Sequence, residues 1–180
     1  SPWRVFVSAA ARRATISENV AFGGVPVFDT ESGDTAFSLP IQGLEVAAFS
    51  QSGGLLFAVG GLYYSPHDLV RVDAATGAVH AQAQLPDCLA GFSLAYDDAL
   101  DRVYVAAFRG QIRGLSEVFL VVLRGADLTP IAVLAAGEDC DTALAAIGCW
   151  EGELVLDGNT VHVALPGASA TRDLVFDLLP

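Results

Sequence analysis

The chain contains no lysine and no methionine, so the nine basic side chains among its 180 residues are all arginines. They face 21 acidic residues, a net charge of −12. Affinity for nucleic acid comes mainly from clustered Lys and Arg, so this balance argues against a phosphate-binding partner. No stretch of 18 apolar residues occurs, and runs such as Val118 to Leu123 and Ile131 to Ala136 have strand length, which excludes a membrane-spanning helix. A signal-peptide-like hydrophobic region is also missing. A chain that opens Ser1-Pro2-Trp3 without Met reads as processed or as part of something longer. The three cysteines form no Cys-x-x-Cys pair and no Cys/His grouping with zinc-ligand spacing. What is abundant is apolar: 53% of residues are hydrophobic, which excludes a disordered chain, and a domain of this length buries roughly two-thirds of its unfolded surface.

That apolar content is arranged in repeats. Trp3-Arg4-Val5-Phe6-Val7-Ser8-Ala9 aligns with Asp101-Arg102-Val103-Tyr104-Val105-Ala106-Ala107, with weaker copies at Leu55 to Gly60 and Thr160 to Ala164. The copies recur every 47 to 58 residues, the period of a propeller blade. A second column joins Val27-Phe28-Asp29 through Gly33 to Arg71-Val72-Asp73 through Gly77, where Asp can bond the following backbone and Gly tolerates positive φ. Looser copies stand at Val122 to Arg124 and Val175 to Asp177. A third column runs Thr35 to Pro40, Val79 to Pro86 and Ile131 to Ala136; a fourth runs Leu44 to Phe49, Ala90 to Ala95 and Ala143 to Ile147. β-Branched and aromatic residues between turn signals predict strands in every column. The expected fold is therefore all-β and propeller-like. It has about four blade equivalents of four-stranded antiparallel sheets, near residues 1–41, 42–87, 88–138 and 139–180, incomplete at both ends. The strand count is three, four, four and three.

The succession of strand, Gly-rich turn, aromatic-bearing strand and Val-Asp-x-x-x-Gly resembles YVTN-type β-propeller repeats. Phe28 to Gly33 followed by Ala47 to Phe57 looks like one such repeat, and Arg102 to Ala106 like its signature strand. The resemblance implies an extracytoplasmic setting, periplasmic or secreted. It also implies more blades than four, so the remaining blades or a protein partner are expected to complete the fold.

Consecutive strands of a blade run antiparallel, so alternate connections emerge at opposite ends. Short hairpins fall at one end, and longer connections at the other: Ala10 to Gly24, Gly61 to Asp68, Arg109 to Glu117 and Pro166 to Arg172. Binding residues favour long loops on a rigid scaffold, which makes Arg12, Arg13, Tyr63, Tyr64, His67, Arg109, Arg113 and Arg172 the expected interaction face. An ordinary solvated loop face is the competing reading. Cys88 and Cys140 each follow an Asp at the expected start of an inner strand. A Cys140–Cys149 disulfide could close the irregular segment beyond, or all three thiols are buried and reduced.

Catalytic signals are thin. His162 stands where the other copies carry aromatics and reads as a packed strand residue. Asp97, Asp98 and Asp101 could attract Ca²⁺, but their spacing departs from the EF-hand loop and a solvated turn is the plainer reading; no other cofactor is expected. The leading expectation is a non-catalytic interaction module or accessory subunit docking onto a larger protein assembly. Two alternatives compete with it. One is a propeller-type enzyme, a lactonase or quinoprotein-like dehydrogenase with a metal near the central channel; the other is a small-ligand or glycan binder using Trp150 and the Tyr63-Tyr64 pair.

Overall fold

The computed structural model describes residues 4–17, 24–61, 67–109, 115–141, 152–165 and 171–177. These residues form fifteen strands in four antiparallel sheets and contain no α-helix. Sheet 1 holds β1 (Val5–Ser8), β2 (Arg13–Ile16), β3 (Val25–Asp29) and β4 (Thr35–Leu39). Sheet 2 holds β5 (Val46–Phe49), β6 (Leu55–Gly60), β7 (Asp68–Asp73) and β8 (Val79–Gln84). In sheet 3 are β9 (Ala90–Asp97), β10 (Arg102–Arg109), β11 (Leu115–Arg124) and β12 (Pro130–Asp141). Sheet 4 has β13 (Glu153–Asp157), β14 (Thr160–Leu165) and β15 (Arg172–Asp177).

Local chemistry sets the turns. Asp29 Oδ1 accepts the N–H groups of Glu31 at 2.8 Å and Ser32 at 3.1 Å, and the Gly33 N–H returns to Asp29 O at 2.9 Å with φ +79°. Asp73 and Gly77 repeat this geometry in sheet 2. These bonds stabilise the ionised carboxylates, so Asp29 and Asp73 both sit below the usual Asp range; in Asp73 the hydroxyl of Thr76 contributes most. Sheet 3 makes the same turn without either signature residue. Leu128 takes the positive φ, its N–H bonds Arg124 O at 2.9 Å, and Asp127 bonds the Thr129 N–H. The strand pair leading into this turn carries a bulge in sheets 1, 2 and 3, at Val27/Phe28, Arg71/Val72 and Val122/Leu123.

Three apolar cores separate the four sheets. Val25, Val27 and Leu39 of sheet 1 pack on Leu56, Ala58, Val70 and Val72 of sheet 2. Phe57, Val59 and Leu69 on the other side of sheet 2 meet Val103, Val105, Phe119 and Val121. Tyr104, Phe108, Val118 and Leu120 then meet Leu154, Val161, Val163 and Phe176 of sheet 4. Each fully buried large apolar side chain contributes roughly 1.5–3 kcal/mol relative to exposure, so these cores hold the sheets in sequence order.

The first blade departs from the expected strand count. Trp3 to Ala9, aligned by its Arg-Val-Phe-Val pattern with β10, instead contains the inner strand of sheet 1, and β2 lies within the segment expected to be a loop. Sheet 1 thus has four strands. The turn between β1 and β2 has no glycine; Ser8 Oγ accepts the Ala11 N–H at 3.1 Å, and Arg12 takes φ +55°. In sheet 4 the inner strand is Glu153–Asp157, whereas Ala143 to Ile147 lie outside the described residues.

Candidate functional site

The inner strands β1, β5, β9 and β13 surround a central cavity of about 380 Å³. Phe6, Val46, Ala47, Leu94 and Leu154 supply its apolar wall, and Arg4, Ser93, Gly152 and Glu153 the remainder. The polar atoms are anchored in the fold. Arg4 exchanges backbone bonds with Ser17, whose Oγ accepts the Arg4 N–H at 2.7 Å, and Arg4 Nη1 donates to Phe92 O of sheet 3 at 3.1 Å. Ser93 is buried, and its Oγ accepts the Leu154 N–H at 3.0 Å, tying sheet 3 to sheet 4. Glu45 directly precedes the wall residue Val46. Desolvation pushes its carboxyl up to about 7, against the opposing pull of Arg4. None of Arg4, Glu45 and Glu153 was singled out by sequence reasoning. Their shared signal is positional: each immediately precedes or begins an inner strand, which is visible only when the inner strands are aligned on one another.

The predicted interaction residues that are described fall at two ends of the fold. Arg12 and Arg13 belong to the hairpin end, because the connection between β1 and β2 is a short turn. Arg12 pairs with Glu31, while Arg13 Nη1 bonds Asp29 Oδ2 at 2.6 Å and Nη2 bonds Ala75 O of sheet 2 at 3.2 Å. Arg109 is at the opposite end, where it pairs with Asp87 at 2.9 Å and lies over the Phe119 ring at 4.7 Å. His67 is at that end too, but it is buried: desolvation lowers its pKa to about 4, and its backbone bonds Leu85 and Leu89. It therefore cannot face a partner. Arg172 opens β15 and is exposed. Tyr63, Tyr64, Arg113, Cys149 and Trp150 lie outside the described residues.

The cysteines do not hold matching positions. Cys88 ends a 3₁₀ turn before inner strand β9 and is an exposed free thiol, while Cys140 lies in β12, the outermost strand of sheet 3. The Cys140–Cys149 pairing falls outside the described residues. The Asp97–Asp101 turn is committed to structure: Asp97 Oδ1 accepts the Ala99 and Leu100 N–H groups, Asp98 Oδ2 the Gln51 N–H, and Asp101 the Tyr96 hydroxyl and Ala126 N–H. Among the described residues no three His, Cys, Asp or Glu side chains gather as a metal site, and no helix is long and apolar enough to cross a membrane.

The two terminal sheets differ in their outward faces. On sheet 1, Val5 pairs with Ile16, and Val7 with Ala14, which pairs with Phe28; this face points away from sheet 2, and Val5 and Val7 are each 61% exposed. On sheet 4 the outward row is Val155, His162 and Val175, flanked by Glu153, Asp173, Thr160 and Asp177. His162 Nδ1 bonds Asp173 Oδ2 at 2.9 Å, and its Nε2 lies 3.2 Å from Thr160 Oγ1. The equivalent positions in β6 and β10 hold Phe57 and Tyr104, both fully covered by the next sheet. His162 is the polar version of a position built for burial.

No protein-family model matches the sequence, and no curated protein does. Solved structures do resemble the fold. The computationally designed Ika4 protein is 13% identical with a TM-score of 0.64, the match covering 97% of this chain and 89% of that one. The β-propeller domain of Myceliophteria thermophila Cps50 (Swd1) is 11% identical with a TM-score of 0.62, over 97% of this chain and 52% of that one. Quinohemoprotein alcohol dehydrogenase ADHIIG from Pseudomonas putida HK5 is 15% identical with a TM-score of 0.55, over 96% of this chain and 30% of that one. The chain thus spans most of the designed protein, about half of the second and less than a third of the third. Likeness at these identities concerns architecture, and on it the chain has a β-propeller-like fold of four sheets that do not close into a complete ring.

Proposed function

We propose that the chain is a non-catalytic interaction module of a larger protein assembly, with repeats of the YVTN type and an extracytoplasmic setting. The observation that carries this reading is the outward face of sheet 1. Val5, Val7, Ala14, Ile16 and Phe28 form an uncharged sheet face on a protein of net charge −12, with two valines more than half exposed. The other face of the same strands is already covered, Phe6, Val25 and Val27 packing toward sheet 2 beside the buried polar Ser8 and Thr15, so a second apolar face is left without a neighbour. The matching partner is a further β-sheet presenting an apolar face, as a blade does to its neighbour. Docking centres on this sheet face in this reading, since Arg12 and Arg13 stand at the opposite end of the fold from Arg109.

A photo-crosslinking side chain placed at residue 7 is expected to capture a partner protein that the same group at residue 31, on the hairpin end, does not. Val7→Asp is expected to abolish the complex while leaving the thermal midpoint nearly unchanged. Capture at residue 31 but not at residue 7, or an unaffected complex in Val7→Asp, would overturn the reading.

A further inference from the structure

The four outer strands do not protect their edges equally. An outer strand presents a row of unpaired backbone groups, which short length and polar or charged side chains blunt. β4 is five residues long and carries Thr35 and Ser38, β8 carries His80, Gln82 and Gln84, and β15 carries Arg172, Asp173 and Asp177. β12 has neither device from Ile131 to Ala136. At twelve residues it is the longest described strand, and this stretch is Ile-Ala-Val-Leu-Ala-Ala. Both of its faces are apolar: Ala132, Leu134 and Ala136 lie half-buried against the core shared with sheet 4, while Ile131 and Val133 on the other side are 51% and 38% exposed. Ala132 to Ala135 pair in continuous register with β11, and among the described residues nothing pairs with the other edge of β12. The flat stretch is bounded, because the register slips at Pro130 and again between Ala135 and Asp139, where Gly137 takes φ +69°.

We propose that β12 accepts an extended segment of a partner protein as an added antiparallel strand of sheet 3, with an uncharged β-branched run opposite Ile131 to Ala136 and Lys or Arg ahead of that run. Main-chain bonds supply the affinity of such an added strand, and the side-chain rows on its two faces supply selectivity. Antiparallel pairing is the more stable ladder, and it brings the start of the added segment to the end of β12. There the sequence is Glu138-Asp139-Cys140-Asp141, on a chain of net charge −12, so leading basic residues complement it. A second copy fits less well. Two β12 strands paired across Ile131 to Ala136 would set Glu138 to Asp141 of one copy beside Ala126 to Thr129 of the other, a stretch with an aspartate and no basic residue.

Fluorescence anisotropy of a dye-labelled, capped octapeptide, Lys-Lys-Val-Thr-Val-Thr-Val-Thr, titrated with the whole chain tests the proposal. The peptide is expected to bind at least tenfold more tightly than a version with Pro in place of two adjacent central residues, which removes ladder donors from both of its edges. It is also expected to bind at least tenfold more tightly than a version with Glu in place of both lysines. Hydrogen exchange in the complex is expected to slow at residues 131–136. Val133→Lys, at an exposed position, is expected to weaken binding at least tenfold with a nearly unchanged thermal midpoint, and Ile131→Lys repeats the test at a second exposed site. Gln82→Lys on the β8 edge is expected to leave binding unchanged. No binding of the octapeptide, equal binding of the Pro or Glu versions, slowing confined to another strand, or affinity unchanged in both β12 variants would overturn it. So would a dimer of the free chain that Val133→Lys dissolves, which makes a second copy the occupant. Docking at sheet 1 stands or falls separately, since Val7→Asp is expected to leave peptide binding intact.

Discussion

The Tyr96 hydroxyl donates to Asp101 Oδ1 at 2.8 Å, across the turn that joins β9 to β10. The other oxygen of Asp101 accepts the Ala126 N–H at 3.0 Å, and its carbonyl accepts the Gly125 N–H at 2.7 Å, so one residue connects both hairpin turns of sheet 3. Asp101 does this from a left-handed conformation, φ +49°.

Asp101→Ala is expected to destabilise the chain by about 1–3 kcal/mol in urea unfolding, because it strands the Tyr96 hydroxyl and the Ala126 N–H. Asp101→Asn tolerates the same backbone and keeps an acceptor, so it is expected to recover much of the loss. Burial, followed by this carboxylate, holds the Tyr96 hydroxyl up at about 12. Spectrophotometric titration of Asp101→Asn should therefore show the Tyr96 pKa moving down toward 10. An unchanged value would assign the shift to burial alone.

Stability should respond to pH through two desolvated groups of opposite sign, the buried His67 and the half-buried Glu45. His67 is neutral in the fold down to about 4 but takes a proton near 6.5 when unfolded, so its contribution is lost as pH falls from 6.5 toward 4. Glu45 stays protonated in the fold up to about 7 but ionises near 4.5 when unfolded, so its contribution is lost as pH rises from 4.5 toward 7. Between about 4.5 and 6.5 the two effects oppose each other, each at up to roughly 1.4 kcal/mol per pH unit. Urea midpoints of Glu45→Gln should therefore rise with pH across this window relative to wild type, and those of His67→Gln should fall. Identical slopes in all three proteins would refute both assignments.

Gly33 and Gly77 occupy the same place in the Asp-x-x-x-Gly turn, with φ of +79° and +75°. A Cβ on Gly33 meets nothing within 4 Å, whereas one on Gly77 would lie 2.4 Å from Phe37 Cγ in sheet 1. Gly33→Ala is expected to cost about 1 kcal/mol, the strain of the left-handed backbone alone. Gly77→Ala adds displacement of Phe37, expected at a further ~1–3 kcal/mol. Equal losses in the two variants would mean that Phe37 moves without cost.

Most strands were legible because their signals are local. The Asp29…Gly33 and Asp73…Gly77 turns announce the third and fourth strands of their sheets, and Leu55 to Gly60 and Arg102 to Arg109 are plainly apolar. Sheet 1 was misregistered for an equally physical reason. Val5-Phe6-Val7 mimics the core of β10, and the turn that follows is Ala9-Ala10-Ala11-Arg12, held by Ser8 Oγ and an arginine in the left-handed region. No glycine, Asn or Asp marks it, so β2 was invisible and Arg12 and Arg13 were assigned to the wrong end. The same mimicry sets Arg4 level with Leu55 and Arg102 in the sequence, whereas in the fold it stands at the head of an inner strand, as Glu45 does in sheet 2. His67 differs for another reason: a histidine beside a loop reads as accessible, and only its place in the fold, with its backbone bonded to Leu85 and Leu89, reveals burial.

The contrast between the two outward faces gives the stack a direction. Sheet 4 ends in a wetted surface, where His162, Asp173 and Thr160 satisfy one another and flanking carboxylates repel a dry neighbour. Sheet 1 ends in hydrocarbon. Adding a sheet beyond β15 would bury a hydrogen-bonded His–Asp pair and several carboxylates, whereas adding one before β1 would bury valines, isoleucine and phenylalanine. The stack of four sheets is therefore directional, with one end capped and the other open. Two exchanges, His162→Phe and Asp173→Val, are the kind of change that would remove the stopper and leave both ends open to a neighbouring sheet.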